Sequence, residues 1–527
     1  MTLDRSRIPA VACALFALHG CKVGPDFARP SSTVAAHWIS EPPEAAPAPA
    51  PAPDTANWWR VFNDPTLDAL IDTAYHNNLS LQIAAARVLQ AQAQLNVAVG
   101  ELFPQQQVLA GGAQYQRQSK ATLVLPQANP VLSSAQLGLS ATWELDFWGK
   151  YRRGIESDRA AMLASVAAYD SALVSLTAGV ASAYLNIRTL QERIEFAQGN
   201  VKTQQESLRI ARAQFEYGET SELDVQQALT QLAQTQASIP SLQSSLRSNE
   251  DSLAVLLGTS PDVVAAHLDV PSPIPSAPAA VATGMPRDLL RRRPDVLQAE
   301  LAAAAQSAGI GVAKAELFPS FSLGGSFGFV STTLRNGSLG DLFNWDNRAA
   351  TATGSFVFPI LNYGRIVNSV RVQDAAFQQA VFSYQNTVLQ AQQEVEDARA
   401  AFAAAQEALA SLNDAAAAAQ RSVDLAVVRY KEGATDYTTV LTAQGLLLQI
   451  QDALASARGG VPLALVSVYR ALGGGWQLRS GQELLSAPAR KEMKDRTNWG
   501  RMPDEGPRLP VPEEEPQGNH AETTTAH

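Results

Sequence analysis

The tetrapeptide ELFP occurs twice in this chain, at 101–104 and at 316–319, so its glutamates lie 316 − 101 = 215 positions apart. Two pairs of glycines in otherwise different motifs keep the same offset: Gly149 and Gly364, Gly218 and Gly433. Several landmarks that share one offset indicate an internal duplication rather than chance. The chain is therefore expected to fold as two copies of one unit.

The duplication sets the expected domain organisation. We expect the folded region over 57–475, with repeat one at about 60–260 and repeat two at about 285–475. The last stretch is 476–527, and from about residue 485 it is rich in Pro, Glu and Thr. Such a composition buries too little apolar surface to offset the entropy of ordering, so this stretch is expected to be a disordered tail.

Composition and charge narrow the function classes. The chain has 527 residues, 46% of them hydrophobic, which is enough for two or three ordinary cores. Its formal net charge of −10 argues against nucleic acid as a partner, because duplex binding relies on Lys and Arg to neutralise phosphates. Beyond the first 20 residues no apolar run approaches the roughly 18 residues of a spanning helix. We therefore do not expect a helical inner-membrane protein.

The N-terminus is typical of a bacterial secretory signal. Arg5 and Arg7 precede an apolar stretch over 8–18, and this stretch is too short to span a bilayer. Residues 1–20 are therefore expected to be a signal peptide that is removed from the mature protein.

The signal ends in LHGC at 18–21, which resembles the lipobox of bacterial lipoproteins. The resemblance implies acylation of Cys21, and the covalent lipid is the only prosthetic group expected. Lys22, directly after the cysteine, resembles lipoproteins sorted to the outer membrane. Because Cys13 lies inside the signal, the mature chain has one cysteine and no disulfide framework. Residues 21–56 are expected to be a lipid-anchored linker, stiff because it is rich in Pro and Ala.

Short segments after each ELFP have the alternation of half-buried strands. In QLGLSATWELDF at 136–147 the odd positions are apolar and most even positions are polar. SFSLGGSFGF at 320–329 and TATGSFVFPI at 351–360 repeat the pattern, whereas QQQVLAGGAQYQ at 105–116 alternates poorly. Strands of roughly 9–11 residues with one apolar face are what an outer-membrane barrel requires. A soluble sandwich with a half-buried sheet is the alternative.

A heptad pattern follows the first predicted hairpin. Apolar residues recur on alternating steps of three and four from Leu173 to Phe215, with Gln204 as the only polar break. None of the residues 215 positions later is charged, so the stripe is part of the duplication. A seven-residue period predicts left-handed supercoiling against neighbouring helices.

The length of these helices exceeds what an ordinary core needs. A single helix over 151–216 would extend about 99 Å. It is expected to turn near Gly218, and its counterpart over 365–430 is expected to turn near Gly433. A cytoskeletal type of coiled coil would explain the helices but not the hairpins.

The strands and the lipid environment together require an oligomer. Open strand edges cannot face lipid, because each unpaired backbone group there costs several kcal/mol, so a membrane sheet must close. One chain offers four strands, whereas bacterial barrels begin at about eight. Eight strands from a dimer and twelve from a trimer both satisfy this argument.

Motifs in order along 21–475 carry a family resemblance: CKVGPDFARP, WWRVFNDPTLDALI, LDFWGKYRR, FEYGETSELDV, IPSLQ, LAVLLG, MPRDLLRRRPDVLQAE, AKAELFPSFSLGG and YKEGATDYTTVLTAQ. Together they resemble the TolC-like outer-membrane efflux proteins, in particular the lipoprotein branch that serves resistance-nodulation-division pumps. The resemblance implies a mixed α and β membrane protein that forms a homotrimer. Its twelve-stranded outer-membrane β-barrel, with four strands per chain, would continue into a long periplasmic α-helical coiled-coil tunnel.

The resemblance also implies a function and partners. The chain would be the passive outer-membrane exit duct of a tripartite efflux system that exports small molecules such as drugs. An inner-membrane resistance-nodulation-division transporter would supply the energy, a periplasmic adaptor protein would link the two, and outer-membrane lipid would surround the barrel. The sequence contains no G-x-x-x-x-G-K-[ST] loop, so we do not expect the chain to use ATP itself.

A gate at the periplasmic mouth is a further implication of the resemblance. In the family, residues just past the helix-turn glycine constrict the mouth. The matching positions here are Leu223 and Asp224 in repeat one and Thr438, Thr439 and Thr442 in repeat two. Relatives often carry Asp or Leu at the second set, so the threonines argue against a strongly acidic second ring, although Asp436 offers another carboxylate. The alternative is that Asp224 and Asp436 simply cap helices.

Other function classes fit the sequence less well. GGSFG at 324–328 matches the G-x-S-x-G elbow of α/β-hydrolases, but the only histidines after Ser326 are His520 and His527 in the tail. The histidines and the mature cysteine show no metal-ligand spacing. We therefore expect neither an enzyme nor a metal site, and a structural or adhesive coiled-coil surface protein is the alternative to a duct.

Overall fold

A computed structural model describes residues 22–35, 55–117, 119, 131–268, 271–278, 292–333 and 337–505. The expected signal peptide at 1–20, the lipidation site Cys21 and most of the Pro/Ala-rich linker lie outside these residues. The C-terminal stretch 506–527 also lies outside them.

Long helices and one sheet account for most of the described chain. The α-helices are α1 Pro65–Asn77, α2 Leu79–Gly100, α3 Lys150–Glu216, α4 Glu222–Leu257, α5 Pro261–Leu268, α6 Pro294–Ala315, α7 Arg365–Lys431, α8 Tyr437–Ala471, α9 Ala487–Arg496 and α10 Met502–Glu505. Short 3₁₀ turns lie at Trp58–Phe62, Leu339–Asp341, Trp345–Asn347 and Trp476–Arg479. The strands are β1 Gln106–Arg117, β2 Val131–Leu145, β3 Ser320–Thr332 and β4 Arg348–Val357.

The helices confirm the duplication. Helices α2 and α6 both contain 22 residues, and α3 and α7 both contain 67. Each second member begins 215 residues after the first, since 294 − 79 and 365 − 150 both equal 215. The predicted long helices over 151–216 and 365–430 are confirmed to within one residue at each end.

The described chain divides into two compact units. One contains Gln90–Ala164 and Gln298–Asn386 together with the described residues of Met1–Ser32, and it holds the sheet. The other contains Thr33–Leu89, Ser165–Leu297 and Thr387–His527 in their described parts. It holds most of the long helices and both of the turns that follow α3 and α7.

The apolar stripe predicted on α3 is largely buried. Ile187 has no exposed surface, and the polar break at Gln204 is buried as well. The duplicated stripe on α7 is buried at Val395 and again at Val423, but it is only half-buried over 405–416. One chain therefore covers most of the stripe on α3, although Phe215 at its end is exposed, and only part of the stripe on α7.

Helix α3 contains an 18-residue stretch that by length and composition could cross a membrane. However, 56% of that stretch is buried inside the structure. A helix whose apolar side packs against other helices can have the same composition. Burial of the apolar stripe is therefore the simpler explanation of this stretch.

The expectation of a disordered tail is corrected over 476–505. This stretch contains the 3₁₀ turn Trp476–Arg479 and helices α9 and α10. Arg479 makes a bidentate ion pair with the buried Asp170, with nitrogen to oxygen distances of 2.6 and 3.0 Å. Lys494 and Asp504 join α9 to α10 in the same way. The buried Arg479–Asp170 pair attaches the start of this stretch to the folded chain, whereas the exposed Lys494–Asp504 pair contributes little.

Part of the expected linker is also held against the folded chain. The Val23 amide donates to the Trp148 carbonyl at 3.1 Å. Farther along, the Gln392 side chain bonds the Thr33 carbonyl and the Ala35 amide. Several of the residues 22–35 therefore bond to the folded chain, so this part of the expected linker is not a separate spacer.

Candidate functional site

Both long helices end at a glycine in the left-handed conformation. Gly218 has a φ of 75° and Gly433 a φ of 68°. The amide after each glycine, that of Glu219 and that of Ala434, reaches back to a carbonyl in the last helical turn at 2.8 Å. This is the Schellman type of helix ending. Because a Cβ at either glycine would meet nothing within 4 Å, the conformation and not lack of space requires glycine there.

The returning helix of repeat two has a side-chain cap. Asp436 is the N-cap of α8, and its carboxylate accepts from the Thr439 amide at 3.2 Å and from the Thr439 hydroxyl at 3.0 Å. This geometry is that of an ordinary helix cap. It matches the alternative that the sequence left open for this residue.

Asp224 occupies a different position in repeat one. The N-cap of α4 is Ser221, whose side chain makes no capping hydrogen bond. Asp224 lies in the first turn of the helix, where it is half-buried and accepts a hydrogen bond from the Thr220 hydroxyl. A carboxylate in the first turn interacts favourably with the helix dipole, so its charge fits the local structure without serving as the cap.

An apolar cluster from both repeats lies behind these turns. It includes Ala228 and Leu232 of α4 and the rings of Tyr430 and Tyr437, which meet edge to face at 5.3 Å. Burial raises the pKa of Tyr437 to about 12, and the nearby Tyr430 and Asp224 add to the rise. The Tyr437 phenol is therefore neutral at physiological pH.

The other predicted gate residues are exposed on the protein surface, just after the turns at Gly218 and Gly433. Leu223 is 64% exposed. Thr438, Thr439 and Thr442 are also exposed, and the Thr442 hydroxyl donates to the Thr438 carbonyl within the helix. The structure thus gathers the two sets of predicted gate residues at the turns that follow Gly218 and Gly433.

The sheet has two open edges. Its strands follow the chain order β1-β2-β3-β4, and every neighbouring pair is antiparallel. β1 and β4 therefore each have one edge without a partner strand in the described chain. All residues of both strands are exposed, whereas most of β2 is half-buried.

One face of the sheet is apolar from strand to strand. Leu109, Leu139 and Phe327 are directly opposite one another across β1, β2 and β3. The predicted strands at 136–147 and 320–329 are confirmed, and the weakly alternating 105–116 also forms a strand. Ser326, the candidate hydrolase nucleophile, is on the other face and shares a hydrogen bond with the Thr351 hydroxyl at 2.7 Å.

Gln105 shifts the phase of the first strand relative to its counterpart in repeat two. Its side-chain amide donates to the Glu144 carbonyl at 3.2 Å and accepts from the Glu144 amide at 2.7 Å, so it takes the place of a backbone partner. Ser320 begins β3 directly after the second ELFP, whereas Gln105 separates the first ELFP from β1. This one extra residue acts as a bulge would and shifts the side-chain alternation of β1 by one position relative to that of β3.

A buried arginine fixes the start of the described chain. The Arg153 side chain in the first turn of α3 is 1% exposed. It donates to the carbonyls of Val23 and Gly24 and to the carboxylates of Asp26 and Glu156, the last two at 2.7 and 2.9 Å. The residues that follow Cys21 in sequence are thereby held beside the junction where β2 leads into α3.

Sequence reasoning assigned no role to Arg153 or Trp148, although both lie in the quoted motif LDFWGKYRR. Apart from Glu156, the partners named for Arg153 and Trp148 are more than 100 positions away in the sequence, so no local pattern could have paired them. Among the described residues, no group of three or more His, Cys, Asp or Glu side chains is placed to hold a metal ion.

Known proteins match this chain over both repeats. The profile of the outer membrane efflux protein family matches residues 70–259 and 285–474. The antibiotic efflux pump outer membrane protein ArpC of Pseudomonas putida is 33% identical over 480 residues, 90% of this chain and 96% of that protein. The pyoverdine export outer membrane protein OpmQ of Pseudomonas putida is 33% identical over 453 residues, 84% of this chain and 93% of that protein. Among solved structures, the outer-membrane channel OprN has a TM-score of 0.79 and 33% identity, over 87% of this chain and 100% of that chain.

Proposed function

The chain belongs to the outer membrane efflux protein family, and on that basis we propose that three copies form one passive exit duct. It is an outer-membrane protein whose function is efflux. In the proposed assembly each copy contributes its four strands to a twelve-stranded barrel and its long helices to a periplasmic tunnel.

The open sheet is the observation that carries the proposal. β1 and β4 each present a row of backbone groups without a partner strand in the described chain. In lipid each such group costs several kcal/mol, and only a closed barrel removes the cost. Four strands are too few to close on themselves, so other copies must supply the missing edges. The apolar face that contains Leu109, Leu139 and Phe327 would then contact lipid, and the face with Ser326 and Thr351 would line the lumen.

Energy and specificity come from other proteins in this proposal. An inner-membrane resistance-nodulation-division transporter supplies the energy, and a periplasmic adaptor joins it to the duct. The named relatives serve antibiotic efflux and pyoverdine export. We assign small molecules of this range, antibiotics first, as the cargo, because a wide water-filled duct needs few specific contacts.

Deletion of the gene tests this assignment. A deletion strain should become more susceptible to several unrelated antibiotics, and the intact chain supplied in trans should restore resistance. Unchanged susceptibility across a broad panel, in a strain with no second duct of the family, would contradict the assigned cargo.

Cys21 anchors the duct to the outer membrane through acyl chains. Several acyl chains hold a protein far more firmly than one, because each buried methylene adds to the binding free energy. Cys21→Ser is expected to abolish incorporation of a labelled fatty acid. Cys13→Ser is the matched control, since that cysteine lies in the signal, and its labelling should stay normal. Incorporation of the labelled fatty acid into Cys21→Ser protein would show that Cys21 is not the lipid anchor.

The turns at Gly218 and Gly433 form the periplasmic mouth, and Asp224 helps to keep it closed. The Asp224 carboxylate is half-buried beside the Tyr430 and Tyr437 cluster. In a trimer it recurs three times around the axis, where it can bond to a neighbouring turn. Asp436 caps α8 and is assigned no gating role.

Asp224→Ala is expected to raise the single-channel conductance of purified trimers and to make cells leaky to large antibiotics, because the mouth loses one bond per copy. Asp436→Ala is the matched control. It removes a cap, should lower the free energy of unfolding by about 1 kcal/mol, and should leave the conductance as it was. Equal conductance of Asp224→Ala and wild type in the same salt would refute the gating role.

A further inference from the structure

In each repeat the second strand of the sheet leads into a long helix, β2 into α3 and β4 into α7. The aromatic residue at this junction is packed in repeat one and exposed in repeat two. Where β2 leads into α3, the Trp148 ring stacks on Phe318 with centroids 4.7 Å apart and planes inclined by 25°. Its ring nitrogen also donates to the Pro319 carbonyl at 2.7 Å. Phe318 and Pro319 belong to the second ELFP, so this motif forms the socket for Trp148.

The 215-residue offset identifies the corresponding residues of the other junction. Tyr363 corresponds to Trp148, and Phe103 and Pro104 of the first ELFP correspond to the socket. In one chain the Tyr363 side chain is 97% exposed and the Phe103 side chain is 61% exposed. The aromatic residue and its socket are thus both present in the sequence, but Tyr363 follows β4 and the socket precedes β1, and these strands are the opposite edges of the sheet.

We propose that Tyr363 of one copy occupies the Phe103–Pro104 socket of the next copy, stacking on Phe103 and donating its hydroxyl to the Pro104 carbonyl. This inference rests on the proposed oligomeric duct and names the contact that closes it. A second copy of this chain is the partner because the socket that accepts Trp148 within one chain recurs on that chain's other edge, where no ring of the described residues stacks on Phe103. The Pro104 carbonyl there accepts one hydrogen bond, from the Gln107 side-chain amide at 3.2 Å, and a carbonyl oxygen has a second lone pair for the Tyr363 hydroxyl.

The same equivalence gives the register of the closing strands. Thr142 is opposite Gln106 in the first hairpin, and Val357, which is 215 positions after Thr142, is opposite Ser320 in the second. The strand residues of β1 and β3 are therefore offset by 320 − 106 = 214, because Gln105 adds one residue. The pair Thr142 and Gly324 of β2 and β3 then corresponds to Val357 of one copy opposite Ala110 of the next.

The faces of the sheet support this register independently. It places Phe356 opposite Gly111, on the same face as Leu109, so the apolar face continues across the junction. A shift of one residue would turn Phe356 and its neighbours to the opposite, polar face. The pairing also sets an aromatic ring against a glycine, which leaves room for the ring.

Disulfide formation between copies tests the register. Val357→Cys combined with Ala110→Cys should give cross-linked dimers and trimers under mild oxidation, because residues directly opposite in a sheet have the Cα separation that a disulfide needs. Ser355→Cys with Ala110→Cys, and Val357→Cys with Gly112→Cys, are slipped by two residues in either direction. Both slipped pairs should stay largely monomeric on non-reducing gels. A bond within one chain is excluded because β1 and β4 are separated by two strands, which is about 14 Å.

Variants of Tyr363 test the socket. Tyr363→Ala should cause loss of the trimer at a lower temperature than wild type, and Tyr363→Trp, which reproduces the Trp148 junction, should retain heat-resistant trimers. Stronger cross-linking of a slipped pair would overturn the register, and wild-type heat resistance of Tyr363→Ala would overturn the socket. In either case, wild-type protein that is trimeric and conducts ions leaves the proposed duct intact. Wild-type protein that is monomeric in the membrane defeats the duct and the inference together.

Discussion

Replacing Ile187 with Asp is expected to abolish assembly of the duct. Ile187 lies on the buried stripe of α3 and has no exposed surface. A carboxylate there would lose its hydration without gaining a partner, and the variant would also lose the packing of a whole isoleucine side chain. The combined loss is on the order of 5 kcal/mol, comparable with the entire stability of many domains. The amount of trimer recovered from outer membranes, and its resistance to heat in detergent, measure the effect.

Two further Asp substitutions make the test specific. Ser175→Asp adds the same charge at an exposed position of the same helix and should leave the trimer unchanged. Leu409→Asp lies in the half-buried part of the stripe on α7, so it should act less on the fold of one chain and more on association. Heat-resistant trimers of normal yield from Ile187→Asp would contradict the assignment of the stripe to a packed interface between helices.

Replacing Arg153 with Met is expected to release the first described residues from the folded chain. The methionine can fill much of the space of the arginine stem, but it donates no hydrogen bond to Val23, Gly24 or Asp26. Hydrogen bonds from a charged donor are worth about 1.5–3 kcal/mol each when buried. The contribution from Asp26 is discounted because that side chain is largely exposed. We expect a net loss of about 2–3 kcal/mol.

Limited proteolysis measures this release. In Arg153→Met, residues 22–35 should be cut at protease concentrations that leave wild type intact, and the N-terminal fragment should be identifiable by mass. Arg159→Met, at an exposed position of the same helix, is the matched control and should behave as wild type. An Arg153→Met chain with wild-type protection of this segment would show that Arg153 does not hold it.

The sequence predicted the features that depend on periodicity and repetition. The 215-residue offset, the bounds of α3 and α7 and the positions of three strands follow from patterns within single elements. They are recoverable because heptads, strand alternation and turn glycines are local signals. Gly218 and Gly433, for example, were found from spacing alone, and both adopt the left-handed conformation.

Features that depend on distant contacts were not predicted. The Arg479–Asp170 ion pair that orders part of the C-terminal stretch joins residues 309 positions apart. The one-residue shift at Gln105 depends on an amide that bonds the backbone of the neighbouring strand, which the local sequence does not indicate. In the same way, the roles of Trp148 and Arg153 became apparent only once their partners were located.

The electrical conductance of single trimers in planar lipid bilayers tests the central claim most directly. Purified wild-type trimers should produce discrete current steps whose size rises in proportion to the conductivity of the bathing salt, because the current passes through a continuous water-filled duct. Asp224→Ala trimers should give larger steps than wild type in the same salt. Bilayers that contain inserted trimers of both proteins but show no current steps would contradict the claim that this chain forms a duct.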